Sequence, residues 1–527
     1  MASGASAPST DDLSSAFDAS GVPLRVITAA SLFDGHDAAI NVMRRLIQAA
    51  GCEVIHLGHD RSALDVVKAA IEEDAHAVAL TSYQGGHMEY FTYIRELLDA
   101  AGREDIRIFG GGGGTITPPE IRDLHAAGIT RIYSPDDGRQ MGLLGMIDDL
   151  VKQASECNLL SQNMGLDKTV TPEQRQKVAR LISMAENADP VSFAQAMKNC
   201  RSRPIETRVP VIGFTGTGGA GKSSLLDELM RRITTQNPQL NVALLCTDPT
   251  RKRTGGALLG DRIRMNTLVS DRLFMRSLAS RASGKELSEK TREAIEVCQA
   301  VGYDLIFVET SGIGQGSDAI TDVSDISLYV MTSEFGAHTQ LEKIEMLDVA
   351  DLVVLNKFEK RGAEDALRAI RKQVKRNRNL FEMDDAALPV IPTIANQFAD
   401  PGVDLLWERL SQILSERHGM ILAAREPQLP ESGMPEPQHI IPPERIHYLA
   451  DISRTVRDYH TRTDEMSQKV RLVQQLEATA RYMSSLADGT GSTLSTGAAA
   501  AVADIRIQAD EIRSTIHPMV WSMIAGF

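Results

Sequence analysis

Val211-Ile212-Gly213-Phe214-Thr215-Gly216-Thr217-Gly218-Gly219-Ala220-Gly221-Lys222-Ser223-Ser224-Leu225-Leu226 is the stretch on which the reading of this chain turns. A short apolar run, 211–214, leads straight into eight residues that fit G-x-x-x-x-G-K-S, and a helical pattern resumes after Ser223. Strand, Gly-rich loop and helix are the context in which this motif has a physical meaning. Glycines let backbone N–H groups turn inward around phosphate oxygens, and the helix N-terminus adds positive potential. Lys222 is then placed to reach the terminal phosphates and the Ser223 hydroxyl to bind magnesium. The nucleotide-binding candidates here are Gly216, Gly219, Ala220, Gly221, Lys222, Ser223 and Ser224. The pattern predicts a magnesium-dependent P-loop nucleoside triphosphatase.

Such a site needs carboxylates beyond buried strands to hold or orient the metal. The run 304–308 ends in Glu309 and Thr310, followed by the Gly-rich turn 312–316, which suits a mobile switch. Asp248 follows the strand-like run 242–246, and Asp261 lies beyond a Gly255-Gly256 hinge. The metal candidates are therefore Ser223, Asp248, Asp261, Glu309 and Thr310. Lys222, Glu309 and Arg264 are the catalytic candidates; Arg264 would stabilise charge on the transferred phosphoryl group, with a structural ion pair as the alternative. Base selection falls to Asn356-Lys357-Phe358-Glu359, which resembles the guanine-reading Asn-Lys-x-Asp element of GTPases with Glu359 in place of Asp. A carboxylate accepts from the guanine N1 and N2 edge, which adenine cannot donate, so GTP is the expected substrate. A second base-side loop is placed at 394–397.

Around this centre, β-rich runs alternate with helical ones over 206–420, with strands expected at 211–214, 242–246, 305–309, 327–331, 352–355 and 390–392. An earlier block over 21–154 alternates in the same way, with strands at 24–29, 53–57, 77–81, 106–109 and 131–133. Strands separated by helices imply right-handed crossovers and parallel doubly wound sheets. The fold class is α/β: two doubly wound parallel-sheet domains plus helical linkers. Residues 155–205 read as a helical connector, with a helix start at Thr171-Pro172-Glu173. Six prolines within 421–443 mark a linker, and 444–527 read as helical, interrupted by the Gly/Ser/Thr-rich stretch 488–497. Residues 1–20 are expected to be a flexible tail.

The chain has 527 residues and a net charge of −14, which would repel a nucleic-acid backbone. The basic stretch 368–378 is read as a solvated helix face. Five scattered cysteines without CxxC spacing suit a reduced cytoplasmic compartment. No apolar run approaches the roughly 18 residues needed to span a bilayer, so no membrane partner is expected.

In the first block, three loops follow strands: 31–39 with Asp34, Gly35 and His36; 82–86 starting at Ser82; and Gly110 to Gly114. Ligands of such sheets bind at the carboxyl ends of strands, and the glycine run permits close backbone approach. Here the chain resembles the cobalamin-binding module of acyl-CoA mutases, whose pattern is Asp-x-His-x-x-Gly, then Ser-x-Leu, then Gly-Gly. Ala39 stands where that module has Gly, and Gln84 where it has Leu. The resemblance implies a flavodoxin-like domain binding adenosylcobalamin, with His36 as lower axial cobalt ligand, Asp34 bonded to its other ring nitrogen, and Gly35, Ser82, Gly111 and Gly112 against the cofactor.

The second block is similar to the G-protein chaperones that load and protect such mutases, through 247–250, 255–265 and 309–315. In this order the two blocks resemble the fused isobutyryl-CoA mutases, adenosylcobalamin radical isomerases of acyl-CoA thioesters. That likeness implies a cobalamin-binding and GTPase portion in which GTP hydrolysis gates cofactor loading, and it makes a homodimer the expected assembly. The substrate site of that family is a TIM barrel, which needs about 200 residues or more, and only 85 remain over 443–527. Isomerisation would therefore need a barrel from a longer parent chain or a partner chain. Two other readings stay open: a cobalamin carrier or sensor with a slow regulatory nucleotide site, and a metallochaperone for another metal, disfavoured by the lack of a His/Cys cluster.

Overall fold

The computed structural model describes residues 16–160, 166, 168–201, 208–251, 254–281, 286–312, 318–335, 341–430, 432–437, 445, 447–490 and 495–525. Contacts divide the chain into one unit over Met1–Pro437 and a second over Gln438–Phe527.

Among the described residues the strands are, in chain order, β1 Arg25–Ser31, β2 Glu53–Arg61, β3 Ala77–Thr81, β4 Arg107–Gly111, β5 Arg131–Tyr133, β6 Val211–Gly216, β7 Val242–Asp248, β8 Ala257–Leu259, β9 Leu273–Ala279, β10 Leu305–Glu309, β11 Ile326–Met331, β12 Leu352–Leu355 and β13 Val390–Pro392. They form two sheets, ordered β5-β4-β3-β1-β2-β8 and β13-β12-β11-β6-β10-β7-β9. Every ladder pairing is parallel, as helical crossovers require. The central strands β1, β6, β10 and β11 are buried along their whole length, which explains their continuous apolar runs. In each sheet the order reverses beside the strand that carries the first functional loop, β1 in one and β6 in the other. That is the topological switch point where α/β sheets place ligands.

Two strands were not expected. Residues 257–259, read as the far side of a hinge, form β8 and extend the first sheet: Glu53, Val54 and Ile55 pair with Ala257, Leu258 and Leu259. Gly256 is clamped rather than hinged, since a Cβ there would stand 2.1 Å from Gln48 O. The unexpected β9 edges the second sheet and contains Arg276 and Ser277, both fully buried. Ala257, Leu259 and Ala279 consequently belong to the same apolar cluster as Ile27, Ile55 and Val78 of the first sheet, so one core crosses the expected boundary.

Charge crosses it as well. Arg25 meets Glu53 at 3.1 Å and Glu73 at 2.7 Å within the first block and Glu186 at 3.6 Å across its boundary. Glu73 also accepts from Ser277 N and Oγ, Arg180 and Arg103 share Asp74, and Arg276 meets Glu186 at 2.6 Å. Such desolvated pairs are weak evidence of net stability, yet losing one partner costs about 3–5 kcal/mol because the other stays buried and uncompensated.

The helical connector supplies Arg180 and Glu186 from Arg175–Asn187, followed by Pro190–Cys200. The helix start expected at Thr171 is displaced. Gln174 N closes a separate turn on Thr171 O at 3.0 Å, and Gln174 becomes the residue before the helix. The expected tail is packed at its end: Ala16 and Asp18 are buried, and Asp18 accepts from Val22 N and Leu159 N. Residues 1–15 lie outside the described residues.

The second unit consists, among described residues, of helices Tyr448–Thr490, Thr496–Ser514 and Pro518–Ala525. The first two pack through Val473, Ala480, Val502 and Ala509. Of the stretch 488–497 expected to interrupt the helix, 488–490 are still helical, 491–494 lie outside the described residues, and Ser495 caps the next helix. Met519 and Met523 are more than half exposed.

Candidate functional site

The Gly-rich loop links β6 to the helix Lys222–Gln236. Gly216 has φ +145 and lies so close to β11 that a Cβ would stand 2.0 Å from Val330 O. Gly219 and Gly221 adopt φ +78 and +90, a region that L residues avoid. Lys222 Nζ donates to Gly216 O at 3.0 Å, arching over the loop. Burial holds its ammonium below the usual lysine range.

Beneath the loop, Ser223 Oγ donates to Glu309 Oε1 at 2.9 Å and lies 3.4 Å from Asp261 Oδ1. Ligand atoms of Cys246, Asp261 and Glu309 all fall within 4.8 Å of one another. Asp248 is turned to Gly260 N at 2.7 Å and steadies the loop before Asp261. Burial and the nearby Asp261 charge push Glu309 up to about 8 and Asp248 up to about 7. The oxygen donors of Ser223, Asp261 and Glu309 suit a hard divalent ion. Arg264 forms an ion pair with Asp261, and its side chain remains about half exposed. Thr310 Oγ1 donates to Thr215 Oγ1 at 3.2 Å.

These groups line a cavity of about 420 Å³ that also takes in Gly218, Ser224, Thr247, Ser311 and Lys357. The hydroxyls of Thr217, Thr247 and Ser311 are buried without a partner among the described residues. In the expected switch 312–316, Gly312 approaches Lys222 so closely that a Cβ would stand 2.7 Å from Nζ; 313–316 lie outside the described residues.

At the base-side end, Asn356 works as a brace. It donates to Ala220 O at 2.8 Å and accepts from Thr393 Oγ1 and Ala395 N. Lys357 takes φ +58, Phe358 is buried, and Glu359 is exposed with Asn396 Nδ2 3.4 Å from its Oε1. The loops 356–359 and 394–397, paired in the sequence reading, do lie together, while the bracing Thr393 just ahead of the second loop carried no signal.

In the first sheet, Asp34 and His36 follow β1. His36 Nδ1 lies 2.8 Å from Asp34 Oδ1, with the imidazole side chain 75% exposed and the carboxylate fully buried. Burial opposes ionisation of Asp34, but the N–H groups of Tyr83 and His36 outweigh it and hold the carboxyl below its ordinary range. The ionised Asp34 fixes a proton on Nδ1 and leaves Nε2 facing outward. Tyr83, which sequence reasoning passed over, stands with its ring 5.6 Å from that of His36; its position directly after Ser82 at a strand end was the available signal.

Next to the pair, a cavity of about 420 Å³ opens between the helices Asp37–Ala49 and Pro135–Ser155, with an apolar lining that includes Ile40, Met43, Leu143 and Met146. Gly111 and Gly112 form its floor. A Cβ on Gly112 would stand 2.0 Å from Ser82 O, and Ser31 Oγ donates to Ser82 Oγ at 2.9 Å. Gly35 has open space around it. An apolar cavity beside an exposed imidazole, floored by glycines, leaves room for the backbone to approach a ligand closely.

The B12 binding domain family matches residues 24–137, and the family described as methylmalonyl Co-A mutase-associated GTPase MeaB matches residues 178–427. The chain is 50% identical over 462 residues to a fused isobutyryl-CoA mutase of Geobacillus kaustophilus, covering 86% of this chain and 42% of that protein. It is 49% identical over 458 residues to the fused isobutyryl-CoA mutase of Cupriavidus metallidurans, covering 86% and 41%. A putative GTPase of Pyrococcus horikoshii is 35% identical over 239 residues, covering 45% of this chain and 73% of that protein. The chain spans about two fifths of the length of the fused mutases it matches. It belongs to the family of that putative GTPase, with a B12 binding domain ahead of a region that matches the methylmalonyl Co-A mutase-associated GTPase MeaB model, and over this length it is similar to part of the fused isobutyryl-CoA mutases.

Proposed function

We propose that this chain binds adenosylcobalamin in its first sheet and hydrolyses GTP with Mg2+ in its second, and that the nucleotide state governs loading and retention of the cofactor. The observation that carries the coupling is the segment 255–264, which supplies Asp261 to the nucleotide cavity and β8 to the cobalamin-side sheet. Supporting domain limits are 21–154 for cobalamin, 155–205 for the connector, 206–420 for the GTPase, 421–443 for the linker and 444–527 for a helical segment that leads to or packs on a substrate barrel.

In the nucleotide site the loop N–H groups and Lys222 bind the β- and γ-phosphates, Ser223, Asp261 and Glu309 hold the magnesium shell, and Asp248 keeps Asp261 in place. Thr310 supports the same wall through Thr215. Arg264 is free to swing from Asp261 to the developing phosphoryl charge. Asn356 and Lys357 frame the base, and Glu359, held by Asn396, reads guanine. In the other site His36 would hold the cofactor's cobalt through Nε2, with its tautomer set by Asp34, while Gly35, Ser82, Gly111 and Gly112 would leave room for the cofactor. Bound adenosylcobalamin supplies a radical source; the substrate to be rearranged, an acyl-CoA of the isobutyryl/n-butyryl type, would sit in a barrel of the same longer chain or of a partner chain. We place the protein in the cytoplasm as a homodimer without nucleic-acid or membrane partners; no described helix is long and apolar enough to cross a membrane.

The test is the visible spectrum of the purified chain with adenosylcobalamin, alone and with GTP, GDP or a non-hydrolysable analogue, alongside phosphate release. A base-off, histidine-ligated spectrum that depends on the nucleotide is expected. Identical loading with GTP and the analogue would remove the gating role, leaving a carrier with a regulatory nucleotide site.

A further inference from the structure

Asp261 reaches Ser223 from a segment whose backbone is held by the other domain. Gly256 rests on Gln48 O, and Ala257 N donates to Cys52 O at 3.2 Å. Ile263 sits on Gly58, where a Cβ would stand 2.8 Å from Ile263 Cδ1, and Arg61 Nη2 donates to Ile263 O at 3.4 Å. Between these anchors Arg262 is buried. Its Nη2 donates to Glu72 Oε2 and Met275 O, both at 2.7 Å, and its Nε to Glu73 Oε1 at 3.3 Å. Asp261 and Arg264, on either side, line the nucleotide cavity while Arg262 does not.

We infer that Glu72 and Glu73 of the cobalamin-side domain, acting through Arg262, are positioning residues for the cation site of the nucleotide-binding domain. The inference rests on the nucleotide reading above and adds that its metal shell is incomplete without the neighbouring domain. The reason is mechanical. Asp261–Arg264 is a single 3-10 turn with no helical cooperativity to fix it, and turns of this kind hold their shape only through what anchors them. Magnesium demands near-ideal octahedral placement of its oxygens, so a ligand on a loose turn serves poorly. The planar guanidinium, held on two carboxylates and a carbonyl, removes the rotation of the turn that would carry Asp261 away from Ser223. Linkage then runs both ways: a cation that orders Asp261 also favours the clamped arrangement of Glu72 and Glu73.

The test uses the full chain and GDP affinity by calorimetry, once in Mg2+ and once in EDTA, for the native protein, Arg262→Lys and Arg61→Ala. The ratio of the two affinities reports the metal shell alone. It should fall about tenfold in Arg262→Lys, the usual loss when a partner behind a metal ligand is weakened, and by a smaller factor in Arg61→Ala, while affinity in EDTA stays within about twofold in both. Arg61 is only half buried, so its variant keeps the measurement available if Arg262→Lys does not fold. Unchanged ratios with a lowered melting midpoint would mean a purely structural clamp and overturn the inference. A native chain that binds no GDP in either condition would overturn the nucleotide reading and this inference with it.

Discussion

Gly256→Ala tests whether β8 truly ties the two sheets together. The added Cβ would lie 2.1 Å from Gln48 O and 3.0 Å from Cys52 O, both backbone atoms that cannot rotate aside. An ordinary contact needs more than 3 Å, so β8 must retreat from β2 by roughly 1 Å, which stretches hydrogen bonds beyond useful length. The ladder at risk pairs Glu53, Val54 and Ile55 with Ala257, Leu258 and Leu259. Two or three such bonds at about 1 kcal/mol each, with partial exposure of the buried Ala257 and Leu259, amount to about 3 kcal/mol. Because the chain has more than one cooperative unit, a global midpoint would blur this loss. Amide hydrogen exchange reads it locally: protection over 257–259 should drop about 100-fold, each 1.4 kcal/mol being a factor of ten, while β12 and β13 are unaffected. Equal protection over 257–259 in variant and native chain would refute the steric reasoning.

His36→Ala should abolish the histidine-ligated spectrum with adenosylcobalamin, and Asp34→Asn should weaken cofactor affinity by about 10–100-fold, both read by absorption titration. Glu309→Gln should reduce GTP hydrolysis by at least about 100-fold and also raise the stability of the cation-free protein above pH 7, since it removes a buried charge. In the absence of metal and nucleotide, stability should fall as pH rises from about 5 to 8. Asp248 and Glu309 are raised to about 7 and 8, so in this window the folded chain binds more protons than the unfolded one, and each such proton contributes a slope of about 1.4 kcal/mol per pH unit. Mg2+ with GDP should flatten that slope, as denaturation midpoints across the range would show. Glu359→Ala should narrow the preference for GTP over ATP in competition binding without changing affinity in a base-independent assay with pyrophosphate.

The alternation of apolar runs with helical stretches made most of the architecture legible, and β3, β5, β10, β12 and β13 begin and end where the sequence places them. What it hid were elements whose partners are distant. A three-residue strand between a glycine pair and Gly260 carries no periodicity, so β8 reads as a hinge. β9 is disguised by Arg276, which looks like a surface residue but is buried because Glu186, 90 residues earlier, receives it. In the sites, the Asp34–His36 pair and the Gly-rich loop are local in sequence and were readable. The role of Arg262 was not, because Glu72 lies 190 residues away. One signal did exist. Glu72, Glu73 and Asp74 crowd the C-terminal end of the helix Ala63–Glu72, where the dipole disfavours negative charge, and such a run invites a search for cations to neutralise it.

That acidic run gives the interface a polarity. The cobalamin-side face contributes Glu53, Glu72, Glu73 and Asp74, while Arg175, Arg180, Arg262, Arg276 and Arg281 approach from the connector and the GTPase side. Were the chain cut into its two sheets, the pieces would present net charges of opposite sign, Arg25 and Arg103 offsetting part of the acidic face and Glu186 part of the basic one, with β2 left as a raw edge. The fragments would recognise each other before touching, at a rate that dilute salt accelerates and concentrated salt slows. Each alone would carry charges it cannot bury and a strand edge open to other chains. The polypeptide link is then less a tether between independent modules than a guarantee of stoichiometry between two halves of a single charged joint.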